Sequence, residues 1–123
     1  MVYEKNRKNS TQPLYRYYYT HPRPEMRDNS LEAGLAGGVI KKNSNTPKAP
    51  IPKGAVHSAE IEYAMGNLAG NKDYAWTESD YAVSETMLNY FANFIKTGNP
   101  NGDKLPVWPM AKNEEKPEIM IID

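Results

Sequence analysis

His57, one of two histidines in the 123-residue sequence, lies in a stretch where residue types and spacing could support chemistry: Gly54-Ala55-Val56-His57-Ser58-Ala59-Glu60-Ile61-Glu62-Tyr63-Ala64-Met65-Gly66-Asn67-Leu68. A glycine that eases a turn is followed by an imidazole, a carboxylate three residues on, and a short amphipathic segment. Neutral imidazole takes up and returns a proton near physiological pH, so a histidine held on a turn beside a carboxylate can act as a general base. A lone loop histidine more often caps a helix or faces solvent, and spacing alone leaves both readings open. Glu60 is too close along the chain to be the group that orients His57. It is either a supporting carboxylate or a first-turn acid favoured by the helix dipole. Ser58 adjoins His57, and neighbouring residues cannot easily form the hydrogen bond that activates a serine, so it is not the nucleophile.

Other chemistries lack their residues. His21 has no second His, Cys or carboxylate at ligand spacing and reads as structural, with no metal expected. No phosphate-binding loop occurs, and the two tryptophans and nine tyrosines do not interleave with a basic patch as in nucleic-acid readers. Fifteen basic and fifteen acidic residues cancel, leaving no net field to draw in a polyanion. Disulfides are impossible without cysteine. No apolar run approaches the ~20 residues that span a bilayer, and the polar start has no apolar signal-peptide core. Cellular location is left open.

These residues must be held by a framework. Leu14–Thr20 alternates Tyr15, Tyr17 and Tyr19 with Leu14, Arg16 and Tyr18, a period of two that predicts a strand, with bulky residues on both faces as in an interior strand. From Pro22 to Lys53, five prolines and three glycines predict a long loop, with a short helical turn around Ser30–Leu35. Such a loop is either mobile surface or functional. A short helix is expected over Ser58–Met65, with Ile61, Ala64 and Met65 inward and Gly66 at its end. The strongest helix starts at Thr77, with Asp80 completing a capping box, carries Val83, Met87, Tyr90, Phe91, Phe94 and Ile95 as an apolar stripe, and stops at Gly98 and Pro100. Asn99-Pro100-Asn101-Gly102 predicts a turn, Leu105–Pro109 an extended segment anchored by Trp108, and Glu118–Asp123 a short strand. Residues 1–11 carry no clear period. A mean hydropathy of −0.77 leaves fewer apolar residues than an autonomous α/β domain usually has, which predicts part of a domain.

Several blocks, in order, carry a resemblance. Leu14-Tyr15-Arg16-Tyr17-Tyr18-Tyr19-Thr20-His21, the His57 stretch, Tyr90-Phe91-Ala92-Asn93-Phe94-Ile95-Lys96-Thr97-Gly98-Asn99-Pro100-Asn101-Gly102 and Leu105-Pro106-Val107-Trp108-Pro109 resemble the C-terminal part of the type B carboxylesterases, the family of cholinesterases and para-nitrobenzyl esterases. The resemblance covers about residues 12–123. It implies an α/β fold, the C-terminal part of an α/β-hydrolase with one or two sheet strands, a long loop carrying the histidine, a closing helix and a terminal strand. It further implies hydrolysis of a small-molecule carboxylic ester, without a cofactor, in which a serine attacks, His57 is the general base, and Glu60, Ser58 and Gly54 support it. No Gly-x-Ser-x-Gly elbow is present, and Ser10, Ser30, Ser44, Ser58, Ser79 and Ser84 lack that context. The resemblance therefore places the nucleophile and the acid in a missing N-terminal part of the hydrolase and makes the isolated chain inactive. The alternative is a non-catalytic binding scaffold or a truncated remnant of the same fold.

Overall fold

The computed structural model of the chain describes residues 5, 8–34, 38–43, 53–111 and 117–123. The described elements follow in the order β1 (Tyr17–Tyr19), β2 (Leu31–Ala33), β3 (Val39–Lys41), α1 (Glu60–Ala64), a 3₁₀ turn at Leu68–Gly70, α2 (Glu78–Thr97) and β4 (Met120–Ile122).

The alternation around β1 translates directly into burial: Tyr19 is buried, Tyr17 half-buried, and Tyr18 between them is exposed. β1 and β4 pair in parallel, with Tyr17 opposite Met120, Tyr18 opposite Ile121 and Tyr19 opposite Ile122. Backbone bonds from Met120 N to Arg16 O (2.9 Å) and from Thr20 N to Ile122 O (2.8 Å) extend the ladder at both ends. Parallel neighbours need a long crossover, and the rest of the fold is that crossover. The inner face meets α2, where Tyr17 packs edge-on to Phe91 at 5.9 Å, and the core joins Tyr19, Ala59, Tyr63, Leu68, Met87 and Ile122. Among the described residues β1 has one strand neighbour, β4, and α2 covers its inner face.

A second correction concerns residues 30–35. Leu31–Ala33 is a strand, not a helical turn, and pairs antiparallel with Val39–Lys41, Glu32 facing Ile40. Asp28 Oδ1 accepts from Ser30 N at 2.8 Å and starts the strand, and Lys42 N donates to Ser30 O at 2.7 Å to close the pair. The partner strand carries β-branched Val39 and Ile40, which suit a pleated ribbon better than a helix. The predicted long loop over 22–53 is thus interrupted by a hairpin; its residues 35–37 and 44–52 lie outside the described residues.

α1 forms where expected and is followed by Gly66 in the left-handed region at φ 65°. Its buried face differs from expectation. Ala59 and Tyr63 point inward, while Ile61 and Met65 are 56% and 67% exposed. Both pairs have i, i+4 spacing, and the aromatic pair wins because Tyr63 fills more volume and finds a partner for its hydroxyl inside. α2 has the predicted capping box: Thr77 Oγ1 accepts from Asp80 N, and Asp80 Oδ2 accepts from Thr77 N at 2.7 Å. It ends at Gly98, left-handed at φ 75°. Along its stripe Met87 and Tyr90 are buried and Val83 and Phe91 half-buried, but Phe94 is exposed and Ile95 is 82% exposed. A helix of 20 residues is about 30 Å long; among the described residues its last turn keeps Phe94 edge-on to Tyr15 at 6.1 Å and leaves Ile95 in solvent.

Trp108 anchors the extended segment after the helix as predicted. Its ring meets Tyr15, Tyr17 and Tyr90 edge-on at 6.3, 5.6 and 5.2 Å, and its Nε1 donates to Arg16 O at 3.1 Å. Asn101 clamps its backbone from both sides, accepting from Trp108 N at 2.6 Å and donating to Trp108 O at 3.0 Å.

Candidate active site

Ala59 N donates to Val56 O at 3.1 Å, which makes Val56-His57-Ser58-Ala59 a tight turn with His57 at its second position. Ser58, at the third, has φ 61°. That left-handed value is uncommon outside glycine, and a strained residue beside an exposed imidazole is a frequent mark of a functional turn. Before the turn, Gly54 lies against β1: a methyl built on its Cα would sit 3.5 Å from Thr20 O, an ordinary contact, so this site does not demand glycine. After the turn the chain enters α1 with Glu60 in its first turn.

The His57 loop therefore lies at the carboxyl end of the parallel pair, the side on which open α/β sheets hold their ligands. An open cleft of about 330 Å³ is formed there by Tyr17, Tyr18, Tyr19, Ala55, Val56, His57, Ser58 and Glu60. His57 is exposed and Glu60 half-buried. Burial first, and the Glu60 carboxylate second, push the Tyr17 hydroxyl above its usual value, which places that negative charge close to the tyrosine wall. His57, Ser58 and Glu60 thus share one cleft, with Gly54 just behind it. The alternation of Tyr17, Tyr18 and Tyr19 predicts a strand and does not predict a cleft wall; Tyr17 and Tyr19 also pack into the core.

The second histidine behaves differently. His21 Nε2 lies 3.0 Å from Asp80 Oδ1, and with the carboxylate ionised that nitrogen must carry the proton. Tyr63 donates its hydroxyl to the same oxygen at 2.6 Å, while Asp80 Oδ2 accepts from Thr77 N at 2.7 Å and Thr77 Oγ1 at 2.6 Å. Asp80 is 2% exposed. Burial pushes its carboxyl up, but the bonds from Thr77, Tyr63 and His21 together outweigh this and hold it below the ordinary value of 3.8. Tyr63 is pushed far up by burial and by its bond to Asp80. The structural role predicted for His21 is therefore found, but it serves a buried carboxylate. Nearby, Arg23 pairs with Glu62 at 2.9 Å and stacks over Tyr74 at 5.4 Å. No group of three metal-ligating side chains occurs among the described residues, and no described helix is long and apolar enough to cross a membrane.

A parallel strand pair with a histidine turn at its carboxyl end and a helix packed on one face is the architecture of part of an α/β-hydrolase, and comparison with known proteins agrees. The backbone matches a solved PNB esterase with a TM-score of 0.57 at 24% identity, over 90% of this chain and 18% of that one. The sequence matches the carboxylesterase family over residues 2–123. It is 34% identical over 104 residues to carboxylesterase 4A of Bos taurus, covering 85% of this chain and 15% of that protein. Cocaine esterase of Homo sapiens is 37% identical over 62 residues, 50% of this chain and 11% of that protein. The chain belongs to the carboxylesterase family. It spans less than a fifth of the length of these relatives, 11% to 18%.

Proposed function

We propose that this chain is the catalytic-histidine segment of a serine-type carboxylic ester hydrolase, with His57 as the general base. The observation that carries the reading is the placement of His57: second residue of a tight turn, exposed into an open cleft of about 330 Å³ at the carboxyl ends of β1 and β4. In this reading a serine from the part of the relatives' length that the chain does not span approaches His57 across the cleft. His57 takes the serine proton as the hydroxyl attacks the ester carbonyl and returns it to the leaving alcohol. It then draws a proton from water, which attacks the acyl-enzyme. Glu60, in the same cleft, favours the transient imidazolium. Ser58 holds the left-handed backbone that turns His57 outward, and Gly54 lies where the loop meets Thr20 just past β1.

A base without its nucleophile and oxyanion donors accelerates little. The 123-residue chain alone is therefore expected to hydrolyse para-nitrophenyl acetate no faster than free imidazole at equal concentration. A PNB esterase carrying this chain in place of its matching segment is expected to turn over that ester, and His57→Ala to lower its kcat by about 10³-fold or more. Turnover by the isolated chain that His57→Ala abolishes would overturn the inactive reading. A hybrid whose rate ignores His57→Ala would overturn the assignment of the base.

A further inference from the structure

Asp80 is buried, is remote in sequence from the cleft, and uses both of its oxygens. Its partners come from three places. Thr77 belongs to the start of its own helix. Tyr63 is the fully buried residue of α1, the helix that begins immediately after the His57 turn. His21 follows Thr20, the residue whose carbonyl lies beside Gly54. The His57 loop is thus suspended between two supports, the segment just past β1 and helix α1, and a side chain from each, His21 and Tyr63, ends on the same carboxylate oxygen. α2 grips α1 a second time one turn further on, where Ser84 Oγ donates to Tyr63 O at 2.9 Å.

We propose that Asp80 is a positioning residue for His57: its carboxylate ties β1 and α1 to the first turn of α2 and so fixes the span and direction of the loop that carries the imidazole. The catalytic consequence rests on the role proposed above for His57; the loop geometry does not. Capping α2 requires one oxygen of an Asp at this position, Oδ2, which Thr77 occupies. The other oxygen gathers two side chains from 17 and 59 residues away, an arrangement capping does not need. A misplacement of about 1 Å at a reacting group can cost about 10²-fold in rate, so the tie is of a size that matters to a base.

The test uses the full chain and needs no turnover. Backbone amide order parameters of residues 54–59 are measured by NMR relaxation in the wild type, in Tyr63→Phe, in Asp80→Ala and in Asp80→Asn. Tyr63→Phe deletes one bond to Oδ1 and is expected to lower the order of the 54–59 loop while the middle of α2 keeps its values. Asp80→Ala should loosen the loop further, and Asp80→Asn, whose single oxygen can serve either the Tyr63–His21 pair or Thr77 but not both, should fall between Asp80→Ala and the wild type. Asn101→Ala, which unclamps Trp108 at the far end of α2, controls for general destabilisation and should leave the loop as ordered as in the wild type. Loop order unchanged in Tyr63→Phe, or lowered equally by Asn101→Ala, would overturn the positioning role, whatever the hybrid esterase shows about His57.

Discussion

The two histidines of this chain sit at opposite extremes of commitment. His21 is mostly buried, its Nε2 is bonded at 3.0 Å to a carboxylate, and its ring packs edge-on to Tyr63 at 5.5 Å. His57 is exposed at the rim of a cleft, and no hydrogen bond to its ring is found among the described residues. A histidine whose polar atoms are engaged has spent its capacity on the fold, whereas one held by backbone geometry alone keeps its ring for an incoming group. The contrast extends to the surroundings. The His21 region is a closed network around Asp80, and the His57 region is a strained turn supported from both sides.

Substitutions can break or sharpen this contrast, and the largest effect expected is on turnover. In the hybrid esterase His57→Ala should reduce kcat by about 10³-fold or more while leaving stability within about 0.5 kcal/mol, as for other exposed sites away from packing; thermal melts of the same samples check the second half. His21→Ala reverses the pattern. It leaves a buried carboxylate short of a donor, and urea denaturation of the chain should show a loss of about 2–3 kcal/mol, the range for hydrogen bonds to a charged group and the desolvation left behind. If both variants lose stability equally, the contrast fails.

The next effect is one of pH. Because Asp80 is held below 3.8 in the folded chain, its contribution to stability is fully present above that value and is lost as pH falls through the lower folded value. Urea midpoints of the wild type and Asp80→Asn should therefore differ most at neutral pH and draw together below about pH 4. A gap that widens on acidification would show that the carboxylate is not stabilised by its partners. The smallest effect is at Ser58. Glycine accepts φ 61° without a Cβ penalty but enlarges the unfolded ensemble, so Ser58→Gly should shift stability by less than about 1 kcal/mol. A loss well beyond that would mean the serine side chain does more than tolerate the turn.

Much of this was legible in local pattern. The tyrosine alternation marks β1, Thr77 and Asp80 mark the start of α2, Gly98 marks its end, and the prolines around Trp108 mark an extended segment, since each depends on residues within a few positions of one another. The hairpin at 31–41 was not, because neither three-residue strand shows its pairing in its own composition. Nor was the buried face of α1: Ile61/Met65 and Ala59/Tyr63 are equally good apolar pairs at helical spacing, and the choice falls to Tyr63 because its hydroxyl meets Asp80. The stripe of α2 reads as continuous through Ile95, yet among the described residues Met87 and Tyr90 are buried, Phe94 meets Tyr15 edge-on while staying exposed, and Ile95 is 82% exposed. At the candidate site, spacing singles out His57 and Glu60 but leaves their roles open, the family resemblance adds Ser58 and Gly54, and neither shows the wall of tyrosines from β1.

By itself the sequence determined the helices, their caps, the aromatic strand and the histidine turn, along with the family resemblance those blocks carry, because such features arise from side chains acting on the backbone within one or two turns. Only the tertiary structure decided that Asp80, already explained as a cap, also receives Tyr63 and His21, and that the histidine turn opens beside β1. Those are meetings of groups far apart along the chain, and a carboxylate that satisfies its local duty with one oxygen gives no local sign of what its other oxygen will bind.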